Sequence, residues 1–172
     1  MVEHTADGRY IVVDGRRWRA TDPSIPEALR AELVAELMAA RRAVRDDPAT
    51  ARPRVHDAKV ALGERGEPWW DEPSEAGRRD RIEAATRVLL RHRDADKSIC
   101  PSDVARVVGG EQWRGAMDAV RDVAAGLADA GVVRVTRRGE AVDVREAKGP
   151  VRIVRGPRFP VIPASDEGTA SA

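Results

Sequence analysis

The clearest pattern of hydrophobic and polar positions lies within residues 99–127, on both sides of a pair of glycines. Before the glycines, a short apolar helix face is formed by Val104, Val107 and Val108. Pro101 suits the first position of that helix, where no N–H is needed. Gly109 is predicted to end the helix in the left-handed conformation, and Gly110 to lengthen the turn. Apolar residues then recur at spacings of three and four, which predicts a second helix over residues 111–130. They are Trp113, Met117, Val120, Ala124 and Leu127. The whole pattern predicts a helix-turn-helix.

An alternating stretch near the N-terminus predicts a β-hairpin over residues 9–20. Asp14-Gly15 is a strong two-residue turn signal, because both positions of such a turn adopt a positive φ. That turn sets the register of the hairpin and places Ile11 opposite Trp18.

Two amphipathic helices are predicted after the hairpin, over residues 26–45 and 52–62. The first carries an apolar stripe at helical spacing, made of Leu29, Leu33, Leu37, Ala40 and Val44. The acidic pair and proline at residues 46–48 are predicted to end that helix. Together with the hairpin, the helices predict an N-terminal unit over residues 1–63, in which residues 1–8 are polar and frayed.

Residues 64–77 interrupt this periodicity and are rich in Gly, Pro and acidic residues, which is typical of a linker. The only large apolar residues in it are Trp69 and Trp70. We expect these rings to pin the linker onto one of the neighbouring cores. The alternative is an aromatic platform for nucleic acid, which the acidic neighbours Glu67, Asp71 and Glu72 disfavour.

The second half of the chain combines a third helix with short strands. A helix over residues 77–93 carries a stripe predicted to be buried, made of Ile82, Ala85, Thr86, Leu89 and Leu90. Alternating stretches predict three strands, at residues 132–136, 141–144 and 151–154. The predicted fold class is therefore α+β and mostly helical, with a winged helix-turn-helix domain over residues 78–156. Residues 157–172 contain too little apolar sequence to fold and are predicted to be a disordered tail.

The charge of the chain is small but unevenly distributed. The 172 residues carry a net charge of +1. Residues 1–77 contain 12 Lys/Arg and 15 Asp/Glu, whereas residues 78–172 contain 18 and 14. A basic excess in the second half is compatible with a polyanionic partner. The sequence contains neither a signal peptide nor an apolar stretch of membrane-spanning length, which predicts a cytoplasmic protein without a membrane partner.

Several ordered motifs in the second half carry a family resemblance. They are KSICPSDVARVVGG, the Trp113-Arg114 pair with Met117 and Val120-Arg121, the wing VTRRGEAVD, and Lys148-Gly149-Pro150. Through these motifs, residues 78–155 resemble a small bacterial winged-helix family that is catalogued as a domain of unknown function. The resemblance implies the winged-helix fold and no particular activity.

The N-terminal half carries a second resemblance, in DGRRWRATDPSIPEALRAELVAELMAARRAV and ALGERGEPWW. These stretches resemble bacterial proteins sometimes labelled biopolymer transporter. We discount that label, because a transporter component needs a membrane span and the sequence contains no candidate for one.

The sequence contains no arrangement of residues that is typical of catalysis or of metal binding. The histidines lie on different predicted elements and lack the spacing of metal ligands; they are His4, His56 and His92. Cys100 is the single cysteine, so an internal disulfide and a multi-cysteine zinc site are excluded. We predict that Cys100 is buried against the turn, and that the protein is not an enzyme and uses no cofactor.

The helix-turn-helix favours binding to double-stranded DNA, because the second helix of this motif can enter the major groove. On the outward face of that helix, the candidate base or phosphate contacts are Gln112, Arg114 and Arg121. The basic excess is concentrated in residues 131–158, which carry eight Lys/Arg against three Asp/Glu. The candidate phosphate contacts there are Arg134, Arg137, Arg138 and Lys148, with Arg152 and Arg155. The predicted function is DNA binding, with a role in transcription as one expectation.

Acidic residues on the same helix support a different function. Glu111, Asp118, Asp122 and Asp129 would repel a polyanion, or would pair with neighbouring arginines at helical spacing. A winged helix with such a mixed face would bind another protein instead of nucleic acid. The sequence therefore leaves two partners open, double-stranded DNA and a protein, and it does not identify the oligomeric state.

Overall fold

The computed structural model describes residues 2–160 and is a mixed α/β structure. Its α-helices are α1 (Glu27–Ala43), α2 (Pro48–Ala61), α3 (Glu75–His92), α4 (Pro101–Gly109) and α5 (Met117–Asp129). A 3₁₀ helix, Gly110–Ala116, lies between α4 and α5. The strands are β1 (Glu3–His4), β2 (Tyr10–Val13), β3 (Arg16–Arg19), β4 (Val133–Arg137), β5 (Glu140–Ala141) and β6 (Arg152–Arg155). They form two antiparallel sheets, with strand orders β1-β2-β3 and β5-β4-β6.

The predicted N-terminal hairpin forms with the predicted register. Ile11 lies opposite Trp18 in the β2-β3 pair. Asp14 and Gly15 form the turn with φ angles of 50° and 73°. A two-residue turn of this kind matches the twist of the flanking strands, which is why the turn sequence alone specified the pairing.

The hairpin gains a third strand that the sequence did not indicate. Glu3 and His4 pair with β2, so the expectation that residues 1–8 are frayed is wrong at these two positions. A local turn returns the chain to β2, because the Thr5 amide donates a hydrogen bond to the Tyr10 carbonyl oxygen at 2.9 Å. The polar character of this segment reflects a solvated edge strand rather than disorder.

Helix α2 begins at Pro48, one turn earlier than predicted. Asp47 is its N-cap, since the carboxylate accepts a hydrogen bond from the Thr50 amide at 3.3 Å. Hydrogen bonds from the Thr50 hydroxyl and amide hold the pKa of Asp47 below its ordinary value. The acidic pair thus starts the second helix, whereas the first helix already ends at Ala43.

The turn after α4 uses its glycines in a different way from the prediction. Gly110 has the positive φ, 54°, whereas Gly109 has a φ of −115°. A Cβ added to Gly110 would lie 2.8 Å from the Cβ of Ser24, so a close approach of another segment also requires glycine there. The single helix predicted over residues 111–130 is instead the 3₁₀ helix followed by α5, with a non-helical backbone at Gln112.

One continuous cluster of buried apolar side chains includes residues from both halves of the chain. The stripe predicted for the third helix is confirmed, since Ile82, Ala85, Thr86, Leu89 and Leu90 are all buried on α3. Leu33 and Leu37 of α1 belong to the same cluster as Val120 of α5. The N-terminal sheet contributes little to it, because Val13 and Trp18 remain 39% and 47% exposed.

The segment between α2 and α3 is packed through its tryptophans, as predicted. The Trp69 indole N–H donates to the Ala20 carbonyl oxygen at 3.0 Å. The Trp69 side chain also packs against Gly63, which follows the end of α2 and has a positive φ of 79°. Trp70 meets the Tyr10 ring edge to face at 5.5 Å. The division into units at residues 64–77 stays a prediction.

The chain continues in the core beyond β6. Phe159, which falls in the predicted tail, is only 4% exposed and belongs to the core cluster. The Arg158 amide donates to the Gly131 carbonyl oxygen at 2.8 Å, which fixes this segment beside the start of β4. The rest of the predicted tail, residues 161–172, lies outside the described residues.

A buried group of charges joins α2 to α3. The Asp57 carboxylate accepts hydrogen bonds from Arg87 Nε at 3.0 Å, Arg87 Nη2 at 2.9 Å and Arg91 Nη1 at 2.6 Å. Burial lowers the pKa of Arg87, but the hydrogen bonds and charge of Asp57 outweigh it and raise that pKa above its ordinary value. The Asp57 side chain is 8% exposed, so its charge depends on these two partners.

We expect Asp57→Asn to lower the free energy of unfolding by about 3 kcal/mol, because removing one partner of a buried ion pair costs about 3–5 kcal/mol. The lower end applies because the Arg87 side chain is 23% exposed and retains some hydration. Urea unfolding followed by circular dichroism measures the change. Asp46→Asn is the matched control, since Asp46 is exposed and forms no ion pair among residues 2–160. Equal losses in both variants would contradict this role for Asp57.

Candidate nucleic-acid interface

Helix α4 is fixed at its N-terminus by a reciprocal cap. The Cys100 amide donates to Asp103 Oδ2 at 3.1 Å, and Pro101 occupies the first helical position as predicted. Asp103 also accepts a hydrogen bond from Arg93 Nη1 at 3.1 Å. Arg93 in turn forms two hydrogen bonds with Glu32 of α1, each 2.9 Å long. These contacts connect the start of α4 to α1 in the N-terminal half.

Trp113 organises the surface at the start of the second helical segment. Its ring is half-buried. The guanidinium carbon of Arg106 lies 4.7 Å from the ring centroid, and that of Arg114 lies 4.5 Å from it. Stacking on an aromatic face restricts a guanidinium and leaves its N–H edge free. Arg106 was not among the sequence candidates, because its position beside Trp113 depends on the path of the turn.

Gln112 and Arg114 are exposed on the 3₁₀ helix. The side-chain pairing of Arg114 with Asp118 that the spacing allowed is not formed in residues 2–160. The guanidinium lies on the Trp113 ring instead. The first part of the helix therefore carries one amide and one guanidinium directed to solvent, both of which are suitable for a nucleic-acid contact.

The Arg121 side chain has a structural role, because it is hydrogen-bonded to the backbone of another segment. Its Nη2 atom donates to the Val144 carbonyl oxygen at 3.0 Å and to the Ala147 carbonyl oxygen at 2.5 Å. The side chain thus fastens the loop after β5 onto α5. The sequence proposed Arg121 as a base or phosphate contact, because helical spacing placed it on the outward face. It did not show that a later loop covers that position.

The hairpin predicted after the second helix forms between β4 and β5, and its return strand is shorter than predicted. Arg138 and Gly139 form its turn with φ angles of 53° and 84°. The candidate phosphate contacts in the wing and after it are all exposed, and none has a carboxylate within 4.0 Å among residues 2–160. They are Arg134, Arg137, Arg138 and Lys148. Lys148 directly follows Ala147, the residue that Arg121 holds, so it lies beside α5.

Two other arginines of this region form hydrogen bonds within the protein, Arg152 at the surface and Arg155 in a partly buried position. Arg152 Nε donates to Ser98 Oγ at 2.8 Å, and Arg155 Nη2 donates to the Leu90 carbonyl oxygen at 2.6 Å. Arg155 thereby caps the C-terminal end of α3, where a cation is favoured by the helix dipole. Both were predicted as further backbone contacts to DNA, and the structure gives both an internal partner.

The solvent face of α5 is acidic. Asp118, Asp122 and Asp129 are exposed on it. Asp122 lies 3.6 Å from Arg79, and Asp129 lies 2.6 Å from Arg145. The hydrogen bond from Arg145 is the main cause that holds the pKa of Asp129 below its ordinary value, so this carboxylate stays charged at neutral pH. Within the second half of the chain, this acidic face leaves the 3₁₀ helix and the β4-β5 hairpin as the candidate positions for contacts to a polyanion.

We expect Arg121→Gln to speed hydrogen exchange of the amides in residues 142–147 and to lower the free energy of unfolding. The loss should be about 1.5–3 kcal/mol, the usual range for hydrogen bonds to a charged group. Arg134→Gln is the control, because Arg134 is exposed and has no hydrogen-bond partner among the described side chains. If exchange in the loop is unchanged by Arg121→Gln, the side chain is free in solution and the original prediction for it stands.

No helix within residues 2–160 has the length and apolar character needed to cross a membrane. Residues 79–156 match a family described as "Protein of unknown function (DUF3253)". This segment is less than half of the chain, and it extends from α3 to the residue after β6. The resemblance of the second half to an uncharacterised family is thus confirmed, whereas the N-terminal resemblance stays a prediction. A comparison with curated proteins gives no match. The matched segment contains every residue of the candidate interface.

Proposed function

We propose that residues 79–156 form a winged helix. The order of elements supports it, since α3, α4 and α5 are followed by a hairpin and a final strand, β6. A β-bridge between Ile99 and Ile153 adds further support, because it places the segment between α3 and α4 beside β6. Both backbone hydrogen bonds of that bridge are 2.9 Å long. The resulting order, Ile99 segment then β6 then β4, closes the three helices with a small antiparallel sheet.

We further propose that this unit binds double-stranded DNA without catalysing a reaction, with a role in transcription as the expected use. The observation that carries the proposal is the set of exposed wing cations without carboxylate partners, Arg134, Arg137, Arg138 and Lys148. A phosphate backbone is the partner that such a set fits, because each cation can release a condensed counterion on binding.

Each part of the surface has a distinct task in this proposal. Gln112 and Arg114 lie at the start of the second helix, where helix-turn-helix proteins contact base edges. The Trp113 ring holds the Arg114 guanidinium in place, and Arg106 lies against the same ring. Arg121 contributes indirectly, because it positions the loop that carries Lys148.

The acidic face of α5 supports an alternative, a winged helix that binds a basic surface of another protein. Asp118 has no cation within 4.0 Å among residues 2–160, so it would oppose a phosphate and attract a lysine or arginine. The two functions differ in whether the protein binds duplex DNA and, if it does, in how salt changes the affinity. Binding to duplex DNA must weaken steeply as salt rises, and a protein-binding module should have no measurable affinity for DNA.

We expect Arg137→Gln/Arg138→Gln to make the slope of log K against log[salt] shallower by about 1.8 on random duplex DNA. The reason is that each phosphate contact contributes about −0.9 to that slope. Fluorescence anisotropy of a labelled duplex at several salt concentrations measures it. The matched control is Arg41→Gln/Arg42→Gln, which removes the same charge from exposed positions at the end of α1 and should leave the slope unchanged.

Arg114→Gln should behave differently from the wing pair on a selected sequence. If Arg114 reads a base, its loss should cost about 1–3 kcal/mol at that site and relax the preference at one base pair. Wild-type binding weaker than about 10⁻⁴ M, the weak end of non-specific affinity, would contradict DNA binding. The protein-interaction alternative would then be the better account of the acidic face.

A further inference from the structure

The N-terminal sheet carries a stack of arginines and aromatic rings on the face that contains Tyr10. The guanidinium carbon of Arg9 lies 5.0 Å from the centroid of the Trp70 ring. The Trp70 and Tyr10 rings meet edge to face, with their centroids 5.5 Å apart. The guanidinium carbon of Arg17 lies 4.5 Å from the centroid of the Tyr10 ring. We call Arg9, Trp70, Tyr10 and Arg17 the arginine–aromatic stack.

Both arginines of the stack are exposed, and each guanidinium lies against an aromatic ring. Within residues 2–160, neither side chain has a carboxylate within 4.0 Å or a hydrogen-bond partner. A guanidinium on a ring loses less conformational freedom when it binds a ligand, and its planar N–H edge suits the oxygens of a phosphate. The guanidiniums of Arg9 and Arg17 are therefore held against rings, and within residues 2–160 no carboxylate or hydrogen-bond partner prevents them from contacting an anion.

A third arginine anchors the sheet and also contacts the Trp70 ring of the stack. Arg19 Nη1 donates to the carbonyl oxygens of Gly66 at 2.8 Å and Glu67 at 3.3 Å. Its guanidinium carbon lies 5.7 Å from the centroid of the Trp70 ring, on the same stack. The sheet is held at its edge in this way, and the Tyr10 side chain does not belong to the apolar core. On this face, the Arg9 and Arg17 side chains stay exposed, whereas the Tyr10 and Trp70 rings are half-buried.

The charge near the stack is mixed, but several of the carboxylates there have hydrogen-bond or ion-pair partners of their own. Residues 8–20 carry four arginines and one aspartate. Among the nearby carboxylates, Asp7 accepts hydrogen bonds from the Thr5 hydroxyl at 2.6 Å and from the Arg9 amide at 3.1 Å. Glu72, close to Trp70 in sequence, lies 3.1 Å from Arg78. Glu67, whose carboxylate accepts hydrogen bonds from the Ser74 amide and hydroxyl, is a further exposed acid beside the stack, as are Glu3 and Asp71.

We propose that the arginine–aromatic stack is a binding surface for single-stranded nucleic acid. Arg9 and Arg17 would contact phosphates, while exposed bases would stack along the guanidinium planes and the half-buried rings of Tyr10 and Trp70. Every base has a π face, so such a surface needs no particular sequence. Single strands fit better than a duplex, because paired bases are stacked on each other and leave the aromatic part of the surface without a partner. The proposal is independent of duplex binding by the wing.

The test measures binding of the full chain to a fluorescein-labelled oligothymidylate of about 15 nucleotides, near the upper size of one single-strand site. We expect Arg9→Gln/Arg17→Gln to weaken binding about tenfold and to make the salt slope shallower by about 1.4, since each single-strand phosphate contributes about −0.7. Arg41→Gln/Arg42→Gln removes the same charge at α1 and should change affinity less than about twofold. Trp18→Ala alters the opposite face of the sheet and should also have little effect.

Arg9→Lys/Arg17→Lys keeps both positive charges but removes guanidinium stacking, so it separates the two contributions to binding. It also gives a second test in case the glutamine pair fails to fold. It should keep the salt slope but bind severalfold more weakly, because an ammonium group cannot stack as a guanidinium does. Four results would overturn the proposal. These are no wild-type binding to the single strand, equal losses at Arg41/Arg42, full affinity of the lysine pair, or equally tight binding of a duplex of the same length through the same arginines. The last result would identify duplex DNA as the occupant.

Discussion

The ion pair between Asp22 and Arg81 is the contact on which the arrangement of the two halves depends. Arg81 Nη2 lies 2.8 Å from Asp22 Oδ2 and 3.4 Å from the Val107 carbonyl oxygen, and Nε lies 3.3 Å from the Ala61 carbonyl oxygen. One side chain of α3 thereby joins the segment after the hairpin to the C-terminal ends of α2 and α4. Both side chains are largely buried, since the Arg81 side chain is 16% exposed and the Asp22 side chain is 6% exposed. A charge left alone there would be costly, so the pair fixes all three elements together.

This constraint reaches the candidate interface through the second oxygen of Asp22. Its Oδ1 atom accepts hydrogen bonds from the Ser24 amide at 2.9 Å and the Ser24 hydroxyl at 2.7 Å. Ser24 in turn packs so closely against Gly110 that a Cβ at Gly110 would lie 2.8 Å from it. The turn of the helix-turn-helix is thus held by the N-terminal half. The exposure of Arg114 depends on that turn, which couples the proposed DNA surface to a part of the chain outside the matched family segment.

The features that the sequence predicted correctly depend on residues that are close together in the chain. The turn at Asp14 and the stripe on α3 follow from local conformation and periodicity. The features that it missed depend on distant partners. Gly110 takes the left-handed position where Ser24 approaches, Arg121 is covered by a loop 23 residues later, and Arg106 reaches Trp113 across the turn. Spacing on a helix identifies an outward face, but it does not show whether another segment occupies that face.

The arginines explain why net charge is a poor guide to the partners of this protein. Many of them are engaged internally, where they hold helix ends, loops and buried carboxylates; they are Arg54, Arg81, Arg87, Arg91, Arg93, Arg121 and Arg155. Other arginines are exposed on the β4-β5 hairpin, on the N-terminal sheet and at the end of α1. At physiological ionic strength the screening length is about 8 Å, so each of these surfaces attracts an anion through its own local charges. A chain with a net charge of +1 can therefore expose two separate groups of arginines, both proposed here to bind anions, beside an acidic helix face.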